Sequence, residues 1–270
     1  MAIESESTFL LKLLWHIVLT PFTLILVILK KKEVSEILKP FSLFFNFLVA
    51  AKFTLSLIVL NIGMFFFSLT LSQEVLNGFI LYPSDVLSLK LYTLISAGFL
   101  HANAVHLVGN CIGIFIFGRI VEKNLGVLKT AAIYFGALVV SGLFSSLIHL
   151  LWLGDNIGGL GASGALMGLV AATILLDPFH LTYELLVPMP VMVVGWLTLY
   201  ADIAGVLNPI EDGIGHFAHI GGFISVALVM YLIGTETREK MKKGFMINVA
   251  SLGVAVALYF LVTFGFIPGF

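Results

Sequence analysis

Long apolar segments separated by short polar connections dominate this chain. A membrane-spanning helix needs about 20 predominantly apolar residues. Seven stretches reach or approach that length: 53–71, 103–120, 131–153, 161–176, 186–207, 214–234 and 245–267. An eighth, 9–29, is interrupted by Lys12, His16 and Pro21 and followed by Lys30, Lys31, Lys32 and Glu33. It reads as an amphipathic interfacial helix or as a marginal extra span. The connection 72–98, which contains Gly78-Phe79-Ile80-Leu81-Tyr82-Pro83, is too polar to span and too apolar to float. That balance predicts a structure half-sunk in the outer leaflet. The pattern divides the chain into a membrane-associated segment (1–49), a six-span core (50–235) and a basic connector with a seventh span (236–270).

Composition supports the same fold class, an all-α polytopic membrane protein. The 270 residues are 60% hydrophobic and 11% charged, with a mean hydropathy of +1.10. Soluble domains carry about 25% charged residues. A net charge of −1 argues neither for nor against nucleic acid. The lipid bilayer is the expected partner, and nucleic acid is not. The single Cys111 excludes a disulfide framework within the chain and reads as a small core residue. No small-residue cleavage site follows the first apolar stretch, so no cleavable signal peptide is expected.

Orientation follows from the basic residues, which concentrate on the cytoplasmic side. Lys30, Lys31, Lys32, Lys39 and Lys52 precede the first strong span. Arg119, Lys123 and Lys129 separate the second from the third, and Arg238, Lys240, Lys242 and Lys243 the sixth from the seventh. The opposite connections hold Glu74, Asp85, Asp155, Glu211 and Asp212. The fourth-to-fifth connection, with Asp177, His180 and Glu184, is expected inside yet carries no Lys or Arg. Seven spans starting inside and ending outside fit this distribution.

Polar groups within spans are costly, by about 2.5–3.5 kcal/mol for a central charge, and are functional candidates by default. They cluster in three places: His101, Asn103, His106 and Asn110; Ser163; and His216 with His219. Segments two, four and six all run inward, and each cluster lies near the start of its segment. The three therefore share one shallow depth on the outer side, as a composite site requires. His106 and Asn110, four apart, share a helix face. Gly164, Gly168 and Ala172 form a small-xxx-small stripe on segment four. Gly215, His219, Gly222 and Val226 share a face on segment six, so close packing would bring Ser163 beside His219.

A Ser and a His in contact, shielded from water, are the minimum for nucleophilic acyl transfer. The tetrahedral oxyanion needs donors, each worth roughly 2.7–4 kcal/mol. His106, Asn110 and the N–H of Ser163 can supply them. No Asp or Glu lies in the clusters to orient the His, so a catalytic dyad is expected. Ser163 could instead pack helices, its hydroxyl on a preceding carbonyl, and His106 with Asn110 could merely join helices. His216 reads as structural or neighbouring. A zinc site built from His101, His106, His216 and His219 lacks a carboxylate or thiolate at ligand-like spacing. No His-Glu-x-x-His and no mid-span Asp pair occurs. Neither a metal nor a cofactor is called for.

Gly161-Ala162-Ser163-Gly164 resembles the Gly-x-Ser-Gly motif of the rhomboid family of intramembrane serine proteases. His101 to Asn110 resembles that family's His-x4-His-x3-Asn motif, and Ala218-His219-Ile220-Gly221-Gly222 its Ala-His-x-x-Gly motif. Gly118-Arg119 with Glu122 is similar to the inner end of its second helix. The likeness covers about 50–235, and seven strong spans match variants with a six-helix core and one additional C-terminal helix. The resemblance implies Ser163 as nucleophile and His219 as general base and acid. It further implies His106 and Asn110 as oxyanion donors, His101 as a supporting polar residue on the same helix, and 72–98 as a membrane-lying first loop; read by itself, His101 is either structural or substrate-facing. Gly161 leaves the backbone around Ser163 open to a substrate carbonyl.

Three positions depart from the family pattern. Tyr92-Thr93 stand where a Trp-Arg pair is frequent, Met167 where an aromatic often packs under the imidazole, and Val226 where a Gly is usual. The implied activity is endopeptidase cleavage of single-span membrane proteins near the outer face. The protein itself would be multi-pass in a cell membrane. The other reading is an inactive rhomboid-like protein that binds or escorts membrane clients.

Overall fold

The computed structural model describes residues 6–182, 188–209, 212–230 and 234–264. Glu184 and Glu211, assigned above to connections, lie outside the described residues, as do 186–187, 231–233 and 265–267 of the spans expected at 186–207, 214–234 and 245–267. The main helices are α1 (Glu6–Ile28), α2 (Lys39–Val49), α3 (Lys52–Ser68), α4 (Ala104–Leu125), α5 (Val127–Leu153), α6 (Ser163–Leu176), α7 (Val191–Leu207), α8 (His216–Val229) and α9 (Thr235–Thr263). The fold is all-α and polytopic; one two-residue β-hairpin, Leu181–Thr182 with Met189–Pro190, follows α6.

The molecule is built around α6. Its residues are apolar on every side, the pattern of a helix enclosed by others, and most of them are buried, Ala165, Leu169, Ala172 and Thr173 completely. Gly164, Ala165, Gly168, Ala171 and Ala172 make it thin, so α4, α5, α7, α8 and α9 all pack against it. The α6–α8 contact is among the closest. A Cβ on Gly222 of α8 would overlap the carbonyl of Gly164, so only glycine permits this approach. Val226, one turn further along α8, is buried in the same core, and Met167 of α6 backs onto Gly222.

Among the described residues, four helices are long and apolar enough to cross a membrane: Ser7–Ile28, Ala104–Leu125, Val127–Leu153 and Thr235–Thr263. Val34–Val49 and Lys52–Ser68 pass the same criterion only as a pair bent by 86°, while α6, α7 and α8 are shorter apolar helices. The 9–29 stretch thus forms one continuous helix through Pro21, long enough for a span. It packs on α2 through Phe9, whose ring stacks on Phe47 at 3.8 Å.

α9 begins earlier than expected. The basic run Arg238–Lys243 is helix rather than connector, consistent with the good helix propensity of Lys, Arg and Glu. Lys240 donates to Asn124 Oδ1 at 2.6 Å, and Lys129 to Thr237 Oγ1 at 3.0 Å. Further along, Asn248 donates to the Ile174 carbonyl at 2.7 Å and accepts from Trp196 Nε1 at 2.9 Å, tying α9 to α6 and α7.

The 72–98 connection folds into three short helical turns, Gln73–Asn77, Pro83–Leu87 and Thr93–Ser96. Tyr92 and Thr93 anchor it. The Tyr92 hydroxyl donates to the Gly78 carbonyl at 3.0 Å, and the buried Thr93 donates to the Lys90 carbonyl at 2.8 Å.

Candidate active site

Ser163 is the first residue of α6, and the irregular stretch before it sets its surroundings. Gly161 has φ +117°, in the region that L side chains rarely adopt. A Cβ there would lie 2.6 Å from His106 Cε1, 2.7 Å from His106 Nε2 and 3.7 Å from Asn110 Nδ2. The turn before Ser163 is thus seated against both polar residues of α4. Two more contacts fix this turn: Gly161 N–H donates to the Ala97 carbonyl at 2.9 Å, and Gly159 pairs with Leu81 as an isolated antiparallel bridge.

The hydroxyl of Ser163 is uncommitted: among the described residues it makes no hydrogen bond. Other hydroxyls in the helices bond a preceding carbonyl, as Ser141 does to Leu138, Thr173 to Leu169 and Ser225 to Gly222. The N–H of Ser163 belongs to the first turn of α6, where backbone donors have no intrahelical acceptor and the helix dipole favours negative charge.

On α4, Asn103 caps the helix by accepting from His106 N–H at 2.9 Å. The Ala102 N–H approaches His106 Nδ1 at 3.5 Å, a long contact that favours Nδ1 as acceptor and Nε2 as the protonated donor. That Nε2 faces Gly161. Asn110 Nδ2 is buried and has no protein partner among the described residues, so a donor is left pointing into the site. His101 is buried, its ring edge-on to His106 with centroids 5.1 Å apart.

His219 lies in the first turn of α8. Its approach to Ser163 follows from the α6–α8 contact, since a Cβ on Gly164 would lie 3.6 Å from the carbonyl of Ala218, the residue before His219. The three clusters foreseen from sequence therefore converge at the N-terminal ends of α4, α6 and α8.

One expectation fails. A carboxylate does lie beside the histidines: Asp202 of α7, buried, has Oδ1 2.9 Å from Nδ1 of His219 and 2.9 Å from Nδ1 of His216. His216 Nε2 in turn lies 3.2 Å from Asp212 Oδ2. The Ile214 N–H, followed by His216, holds the Asp212 carboxyl below the usual carboxylate range, outweighing its partial desolvation. Asp202 has no fixed sequence spacing to either histidine. It was nonetheless visible as an ionisable residue within an apolar segment, the criterion that flagged the other clusters. Among the described residues, no group of three or more His, Cys, Asp or Glu side chains is arranged to hold a metal ion.

Residues 88–236, more than half of the chain, match the Rhomboid domain. The chain belongs to the rhomboid family. Similar rhomboids include RHOMBOID-like protein 12, mitochondrial, of Arabidopsis thaliana, 28% identical over 64% of this chain and 56% of its own length. Rhomboid protease AarA of Providencia stuartii is 28% identical over 67% of this chain and 72% of its own length. Rhomboid protease GlpG of Yersinia pseudotuberculosis is 30% identical over 71% and 66%. The matched region thus spans between about half and three quarters of these relatives. As a rhomboid with long apolar helices, the protein is an integral multi-pass membrane protein.

Proposed function

We propose that this rhomboid is a serine endopeptidase of the membrane interior, with Ser163 as nucleophile and His219 as general base and acid. The observation that carries the proposal is the seating of the Gly161 turn on His106 and Asn110, beside a serine with an uncommitted hydroxyl. His219 Nε2 takes the Ser163 proton as Oγ attacks a peptide carbonyl, then returns it to the leaving amine. The developing oxyanion is stabilised by His106 Nε2–H, the Asn110 amide and the N–H of Ser163. Water hydrolyses the resulting acyl-enzyme.

Helix α6 has 14 residues, about 21 Å of rise, against a hydrocarbon core of about 30 Å. If its C-terminal end lies at the inner boundary, Ser163 is recessed below the outer surface rather than level with it. Single-span substrates fit such a depth. A spanning helix hides its carbonyls in its own hydrogen bonds, so local unwinding precedes attack.

Ser163→Ala tests the proposal. The variant is expected to keep the wild-type unfolding midpoint in detergent while losing cleavage of a model single-span substrate and labelling by a fluorophosphonate probe. Equal cleavage by the variant would overturn the mechanism. A wild-type protein that neither cleaves nor labels would favour a client-binding, non-proteolytic rhomboid.

A further inference from the structure

The polar tether between α7 and α8 is more elaborate than helix packing requires. Asp202 Oδ1 is shared by two imidazole nitrogens, Nδ1 of His216 and Nδ1 of His219, each at 2.9 Å. Both contacts need an N–H on the ring, because an ionised carboxylate only accepts. His219 is therefore held with its proton on Nδ1, which leaves Nε2 as a bare acceptor. His216 contacts carboxylate oxygens through both ring nitrogens, Asp202 on one side and Asp212 at 3.2 Å on the other. Asp202 thereby has a second imidazole partner in its buried position. The seat for this ring is built in: a Cβ on Gly205, three residues after Asp202 on α7, would overlap the His216 imidazole.

We infer that Asp202 is a positioning residue for His219, with His216 as its second partner, so that the Ser163–His219 pair is held in place by a third side chain rather than left unsupported. This inference rests on the endopeptidase reading for its kinetic consequence but not for its structural content. While the Ser163 Oγ–carbon bond forms, the hydroxyl proton passes to His219 Nε2. The Nδ1–H of the resulting imidazolium stays on Asp202 Oδ1, which takes no proton itself. The Nε2 proton then leaves with the amine as the C–N bond breaks. Asp202 supplies the correct tautomer at the start and a countercharge in the middle of this sequence.

The first test needs no turnover. In the wild-type protein with 15N-labelled histidine, assigned through a His219→Gln control, the neutral His219 ring is expected to carry its proton on Nδ1. A proton on Nε2 would overturn the inference, whether or not the protein cleaves anything. The second test is kinetic. Asp202→Asn keeps the side-chain shape and is expected to lower kcat and the rate of fluorophosphonate labelling by about 10²- to 10⁴-fold, with KM and the fraction of folded protein little changed. Asp202→Glu, which restores the carboxylate, is expected to recover part of that loss. Wild-type labelling rates in folded Asp202→Asn would overturn the positioning role while leaving Ser163 as nucleophile. If Asp202→Asn fails to fold, Asp202→Glu decides: folded but no faster than Asp202→Ala, it counts against the role.

Discussion

Leu81 and Gly159 exchange two backbone hydrogen bonds, Leu81 N–H to the Gly159 carbonyl at 3.2 Å and Gly159 N–H to the Leu81 carbonyl at 2.8 Å. This one bridge ties the 72–98 connection to the chain four residues before Ser163. A second tie runs alongside, from Ser84 N–H to Asn156 Oδ1 at 2.8 Å. The connection therefore braces the turn that leads into Ser163.

Leu81→Pro tests that brace: proline removes the N–H donor, and since it also trims a side chain that packs on Gly142 of α5, Leu81→Ala is the reference that isolates the bridge. One lost hydrogen bond costs about 0.5–1.5 kcal/mol, too little to unfold a protein of this size. A misplaced Ser163 costs far more in rate, since small displacements of reacting groups change rates by up to about 100-fold. The expected result is a modest drop in unfolding midpoint with a fall of at least about tenfold in substrate cleavage. Cleavage at the wild-type rate would make the bridge incidental.

Glycines in the helices divide into two kinds, and a pair of substitutions separates them. Gly222 meets the Gly164 carbonyl directly, whereas a Cβ on Gly109 of α4 would have nothing within 4 Å. Gly222→Ala must push α8 away from α6, since neither backbone can yield alone. Overpacking of this kind costs about 1–3 kcal/mol, and here it also separates His219 from Ser163. Gly109→Ala is expected to be neutral or stabilising by up to about 1 kcal/mol, because alanine is the better helix former. Thermal unfolding in detergent, read beside cleavage, should show both losses for Gly222→Ala and neither for Gly109→Ala.

The legibility of this site in the sequence follows the physics of each residue. His106, Asn110, Ser163 and His219 were readable because each sits on a helix whose spacing fixes its face, and because polar groups in apolar segments stand out. Their common depth followed from the alternating direction of the segments. Asp202 carries the same signal, but its partners are 14 and 17 residues away across a helix break and no local spacing links them. The anchoring of the first loop by Tyr92 depends on a carbonyl 14 residues earlier, which no periodicity encodes. Helix ends were least legible. The charged run at 238–243 looks like a connector by hydropathy but has the propensity of a helix, and the contacts of Lys240 to Asn124 and of the adjoining Thr237 to Lys129 hold it as one.

Glu122 shows how the opposite end of the molecule is held. Its carboxylate is buried in α4 and accepts from Phe53 N–H at 3.1 Å, Thr54 N–H at 2.9 Å and the Thr54 hydroxyl at 2.8 Å. The two backbone donors are in the first turn of α3, where no intrahelical acceptor exists, and the carboxylate also complements the positive end of the helix dipole. Ala51, which precedes that helix, provides no side-chain cap of its own. Glu122 therefore performs from another helix the task a local cap would perform. Its neighbour Arg119 reaches the same region, donating to the Phe47 carbonyl and lying 3.7 Å from the centroid of the Phe47 ring. Glu122→Ala strands the buried donors, each worth about 1–3 kcal/mol when left unsatisfied. Glu122→Gln keeps one acceptor oxygen, which can stay on Thr54, but sets an NH2 opposite the Phe53 N–H, so it loses that bond as well as the charge-assisted part of the others. The unfolding midpoint is expected to fall in the order wild type, Glu122→Gln, Glu122→Ala, with activity per folded molecule preserved in the glutamine variant. A glutamine variant that is fully folded yet inactive would instead assign Glu122 a part in catalysis.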